Sequence, residues 1–203
     1  MFYDPKASKD VKSGGNLPHW QQDGKMQFVT FRLADSLPSH VISELKSMVE
    51  EFKRLHPQPW NHETRREYWE LIGPKEERFL DKGHGSCILK KPEIREIVRS
   101  AILHQDHKAY HIIAFVIMPN HVHILIQPLG NISLSTILHS IKRFSALQIN
   151  RILNRHGQLW MNESFDRIVR SKEHLNHYIE YIKSNPIGFR ADEYLLYVNS
   201  EYE

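Results

Sequence analysis

Phe115-Val116-Ile117-Met118-Pro119-Asn120-His121-Val122-His123-Ile124-Leu125-Ile126 is an apolar, strand-forming run that breaks once, at 118–120, and carries two histidines one residue apart. Side chains alternate faces along a strand, so His121 and His123 project from one side while Val122 and Ile124 project from the other. Burying two imidazoles in an apolar sheet is unfavourable unless something satisfies them. A shared divalent ion would do so; a half-exposed strand with its open face in water is the other reading of the same residues. The Met118-Pro119-Asn120 break predicts two antiparallel strands, roughly 109–118 and 121–127, joined by a tight turn.

Upstream, residues 26–34 are rich in β-formers and predict a first strand. Pro38-Ser39 then starts a helix whose apolar residues Val41, Ile42, Leu45, Met48, Val49, Phe52 and Leu55 fall at helical spacing. Residues 57–90 are charge-dense and interrupted by Pro57, Pro59 and Pro74, which predicts an insertion with one or two short helices. Pro92 suits a helix's first turn, with Ile94, Ile97, Val98 and Ala101 as its buried stripe. Downstream, a long helix is expected over about 133–155, with Leu134, Ile137, Leu138, Ile141 and Phe144 facing inward. A loop feeds a fourth strand within 158–170, and a last helix over about 171–184 is stopped by Asn185-Pro186. Residues 1–15 read as a mobile start, and 191–203 as a tail beyond a single domain spanning 16–190. The order is that of an α+β, ferredoxin-like β-α-β-β-α-β antiparallel sheet with an added C-terminal helix.

Composition sets the limits. The 203 residues are 40% hydrophobic, enough for a packed core, and no stretch approaches the length of an apolar membrane span. The polar N-terminal region lacks the apolar centre of a secretory signal. The single cysteine, Cys87, forms no internal disulfide and reads as a small, partly buried thiol, consistent with a cytoplasmic setting. A net charge of +3 permits a nucleic-acid partner. Of the 14 histidines, the group His104, His107 and His111 spans a helix end, a loop and a strand start, where a shared ligand geometry is not expected.

Two histidines do not make a metal site, and the last helix offers further donors. Tyr181 and Asn185 are four apart and share one side of that helix, with Tyr181 on the shoulder of the stripe Leu175, Ile179 and Ile182. Here the residues resemble a family. Met118-Pro119-Asn120-His121-Val122-His123, followed about sixty residues later by Tyr181-Ile182-Lys183-Ser184-Asn185-Pro186, resembles the single-tyrosine transposases of the IS200/IS605 type with their His-hydrophobic-His motif. The branch most resembled is the REP-associated tyrosine transposases. Leu17-Pro18-His19-Trp20, Phe28 to Leu33, and Leu159-Trp160 through Phe165 to Arg170 resemble that branch too, so the likeness covers roughly residues 16–190.

The resemblance implies a metal-dependent transesterase acting on single-stranded DNA, with an adjacent hairpin such as a REP element. His121, His123 and Asn185 would hold Mg²⁺ or Mn²⁺, and the Tyr181 hydroxyl would form a 5′-phosphotyrosine. Tyr178, in the same helix, is the runner-up nucleophile; its four-residue neighbour is Ile182, which cannot bind metal. Candidate DNA contacts are Arg32, Lys142, Arg143, Arg167 and Arg170, with Trp160 as a stacking platform. Two other functions stay open: a binding module of this fold that no longer cleaves, and a hydrolase using activated water. Action as a monomer or as a homodimer is equally open.

Overall fold

The computed structural model describes residues 2–3, 10–12, 19–21 and 24–202. Most of the expected mobile start, Leu17-Pro18 and the side chain of Trp20 lie outside the described residues. The chain divides into two compact units, one made of residues 1–34 and 88–203, the other of Asp35–Cys87.

The larger unit holds a two-stranded ribbon, β1 (Asp10–Lys12) with β2 (His19–Gln21), and a five-stranded antiparallel sheet. Its strands are β3 (Gln27–Arg32), β4 (Tyr110–Ile117), β5 (His121–Pro128), β6 (Phe165–Ile168) and β7 (Leu195–Val198), in spatial order β6-β3-β5-β4-β7. The four expected strands therefore alternate as the α+β reading requires, with the first and third side by side at the centre. The β7 strand is an addition: Leu195-Leu196-Tyr197-Val198 pairs with β4, and the Tyr197 ring stacks on Phe115 at 5.0 Å. Within the expected tail 191–203, the apolar residues Leu195–Val198 thus complete the sheet beside β4.

Each sheet face is buried under helices. Val29, Phe31, Phe115, Ile117, Val122, Ile124 and Ile126 pack with side chains of α3 (Pro92–Leu103) and α4 (Leu134–Ile152). Phe28, Ala114, Val116 and Leu125 pack on the other side with Leu175, Tyr178, Ile179 and Ile182 of α5 (Lys172–Ser184). A register shift between Ile112 and Ala114 lets Ile113 and Ala114 share the α5 side without breaking the alternation beyond them. Helix starts follow their caps: the Ser133 and Ser171 hydroxyls accept the N–H of Thr136 and His174. Phe144 differs from expectation. It is 50% exposed, on the outer side of α4, because Ile141 and Ser145 take the inward positions around it.

The smaller unit pairs α1 (Ser39–Leu55) with α2 (His62–Leu80), a single 19-residue helix that runs through Pro74 where one or two short ones are expected. Phe52, Trp60 and Tyr68 interlock there, with ring centroids 5.1 to 5.3 Å apart. At its end Gly85 adopts φ +88°, and a Cβ there would sit 2.3 Å from the Asp35 carbonyl oxygen, so this turn requires glycine.

Candidate metal and nucleophile site

His121 and His123 are each 1% exposed, on the α5 side of β5. Their Nε2 atoms face each other at 3.0 Å. The His121 Nδ1 lies 2.7 Å from the Asn120 amide oxygen. That oxygen can only accept, so Nδ1 carries the proton and Nε2 presents a lone pair. The His123 Nδ1 lies 2.8 Å from the Thr30 hydroxyl, its cross-strand partner, which can give or take a proton. Two cis ligands about 2.1 Å from an octahedral ion are themselves roughly 3.0 Å apart, so the imidazole pair has the spacing a single cation requires.

Burial pushes the His121 imidazole down to about 3 from its ordinary 6.5. Burial first, and His121 second, hold His123 well below the ordinary value. Both rings are neutral at pH 7, the state that binds metal. The sign of the linked stability follows. As pH falls, the unfolded chain takes up these protons first, so the His121 contribution is whole above pH 6.5 and is lost between 6.5 and about 3. The slope is roughly 1.4 kcal/mol per pH unit. EDTA-treated protein should therefore lose Tm across that window faster than its His121→Gln variant; parallel curves would refute the assignment of a neutral buried ring.

The α5 helix brings Tyr181 to the same place. The half-buried Tyr181 sets its ring edge-on to His123, centroids 5.2 Å apart, and edge-on to Phe28 at 5.6 Å. Asn185 closes the helix, its N–H donating to the Tyr181 carbonyl, and its side-chain oxygen is buried with no hydrogen-bond donor among the described residues. An orphaned amide oxygen one turn beyond Tyr181 suits a cation ligand. Tyr178 differs from Tyr181: it is 4% exposed and stacked flat on Phe28, 4.4 Å away and 5° from parallel. Phe28, also stacked on His123 at 5.5 Å, is the hub that fixes all three rings.

Residues 87–185 match the family model described as Transposase IS200 like, a span that contains both histidines, Tyr181 and Asn185. Over that span the chain is similar to the IS200-like transposases. The resemblance read from the motifs is thereby borne out. A solved REP-associated tyrosine transposase, bound to a REP hairpin, shares 17% identity with a TM-score of 0.50, covering 84% of this chain and 71% of that one. At that identity the likeness concerns the fold. No curated protein matches the chain. Among the described residues, no helix is long and apolar enough to cross a membrane.

The expected DNA contacts separate into two groups. Arg32 is the cross-strand partner of His121, and Arg167 of Phe28, so both arginines lie on the face that carries the histidines. Arg143 and Arg170 are exposed. Lys142 and Trp160 need correction. The Lys142 ammonium donates to the carbonyls of Met161, Asn162 and Glu163, and burial, with Arg32 nearby, lowers it to about 8. It ties down a loop rather than waiting for phosphate. Trp160 is 4% exposed, its indole N–H bonded to the Ser145 hydroxyl and its ring edge-on to Phe31, so it offers no face to a base. Both border a cleft of about 810 Å³ beside α4 that Arg143 and His139 also line. Sequence reasoning quoted Phe28, Thr30 and Asn120 within the resembling segments but gave them no role; the two-residue period of β3 hinted that Phe28, Thr30 and Arg32 share a side.

Proposed function

We propose that this chain is a metal-dependent transesterase that cleaves and rejoins single-stranded DNA through a covalent bond to Tyr181. The observation that carries the reading is the pair of mutually facing imidazoles with the half-buried Tyr181 ring edge-on to His123; the orphaned amide oxygen of Asn185, one helical turn beyond Tyr181, supports it. His121, His123 and Asn185 would hold Mg²⁺ or Mn²⁺. Once bound, the ion supplies Lewis-acid polarisation of the scissile phosphate.

The remaining work falls to side chains. Asn120 and Thr30 fix the rings through Nδ1, and Phe28 fixes the plane of His123 and that of Tyr181. The Tyr181 oxygen bonds to phosphorus as the bond to the 3′ oxygen breaks, and the proton lost by the phenol is balanced by the one gained at the freed 3′-hydroxyl. The phosphotyrosine conserves the diester's energy, so a second 3′-hydroxyl can reverse the step without a nucleotide cofactor. Arg32 and Arg167 would meet the backbone beside the break, and Arg143 and Arg170 the flanking strand. The REP-associated neighbour is described on hairpin DNA, which supports a hairpin-bearing strand as substrate.

The test is to incubate the protein with labelled single-stranded DNA carrying a hairpin and to separate the products in denaturant. A protein–DNA adduct that requires Mg²⁺ or Mn²⁺ is expected. Tight binding with no adduct would favour a module that binds without cleaving, and free 5′-phosphate ends without an adduct would favour water as nucleophile.

A further inference from the structure

At the opposite end of the β4–β5 hairpin from the Asn120 turn, the chain leaves α3, turns through Asp106-His107 and enters β4 at Tyr110. His111 lies six residues before Ile117 in a strand that rises about 3.3 Å per residue, so this corner is roughly 20 Å from the His121–His123 end. Among the described residues, Asp106, His107 and His111 are the one group of three or more His, Cys, Asp and Glu side chains whose ligand atoms all lie within 4.8 Å of one another. We propose that these three residues form a second metal site, for a borderline divalent ion of the Zn²⁺ type.

Three features build it. The Asp106 Oδ1 accepts the N–H of His107 at 3.0 Å and of Ile112 at 2.9 Å, which locks the carboxylate and leaves Oδ2 3.6 Å from the His107 Nε2. His107 is held at φ +60°, a left-handed conformation that histidine rarely adopts, by its N–H bond to the Tyr110 carbonyl at 2.8 Å. That conformation folds the His107 ring back over His111, centroids 4.9 Å apart and planes crossed at 67°. The expected dispersal of His104, His107 and His111 therefore fails for the last two and holds for His104, which is not in the cluster.

Zn²⁺ binds imidazole nitrogen at about 2.0–2.1 Å and carboxylate oxygen at about 2.0–2.2 Å, which puts tetrahedral donors some 3.4 Å apart. The ligand atoms start within 4.8 Å of one another, with the Asp106–His107 pair at 3.6 Å, and rotation of the 64% exposed His107 side chain would close the set. Two imidazoles and one carboxylate suit Zn²⁺, Ni²⁺ or Co²⁺ better than Mg²⁺, whose preferred shell is oxygen. The ion would staple the end of α3 to the start of β4 and leave one position for water.

Equilibrium dialysis of untagged protein against Zn²⁺ tests this directly. His107→Ala/His111→Ala should bind one Zn²⁺ fewer per chain than wild type at a free concentration of about 10 µM, while His104→Ala binds as many as wild type. Equal stoichiometry in the double variant and wild type would overturn the site. A wild-type measurement guards against misfolding of the variant. Paramagnetic Co²⁺ should broaden the ring protons of His107 and His111 in NMR spectra, and broadening confined to other histidines would overturn it equally.

Discussion

Tyr181→Phe should form the covalent DNA adduct at least ~10⁴-fold more slowly than wild type, the scale of losing a nucleophile that no neighbour replaces. The substitution keeps the ring, and with it the edge-on contacts to His123 and Phe28, so Tm should barely move. Tyr178→Phe is the matched control. That ring is flat against Phe28 and 4% exposed, so its variant should retain adduct formation within about threefold. Quantifying adduct by denaturing gel for the two variants decides between the phenols. An active Tyr181→Phe beside an inactive Tyr178→Phe would reverse the assignment.

The second large effect concerns the proposed ligands. His123→Ala removes one of the two Nε2 atoms that face each other at 3.0 Å. It should weaken Mn²⁺ binding by more than the 10–100-fold that loss of an outer partner costs, and adduct formation should fall with it. Because that variant also opens a cavity beside Phe28, Asn185→Ala is the sharper probe. A buried carbonyl oxygen without a donor costs about 1–3 kcal/mol, so a truncation that removes it should leave metal-free Tm unchanged or raised. If Asn185 is a ligand, the same variant binds Mn²⁺ more weakly. A residue that merely caps the helix would show the opposite pattern, a lower Tm with Mn²⁺ affinity intact. Calorimetric titration and thermal melts, with and without EDTA, read both.

Much of this geometry was legible from two periodicities. The two-residue alternation of a strand put His121 and His123 on one side, and the i, i+4 spacing of a helix put Tyr181 and Asn185 on one side. The stripe Leu175, Ile179 and Ile182 oriented that helix toward the sheet. What remained hidden depends on register and on partners distant in sequence. Thr30 meets His123 only because β3 pairs with β5 in one particular alignment, which no local pattern encodes. Lys142 looks like a phosphate ligand until its three backbone acceptors, some twenty residues away, are seen. His107 and His111 meet because of one left-handed residue, a conformation that histidine does not advertise. The four-residue apolar run at Leu195 is too short to read as a strand by itself.

That short run has a protective role. The β4 strand is eight residues long and almost wholly apolar, and a bare margin of that kind recruits strands from other molecules. Leu195–Val198 covers the Ala114–Ile117 half of it, with only four residues of its own facing outward. Shortening the chain ahead of Leu195 would uncover a sticky seam at the flank of the sheet. Aggregation during expression would then be expected of a truncated protein in which His121, His123, Tyr181 and Asn185 are all still present.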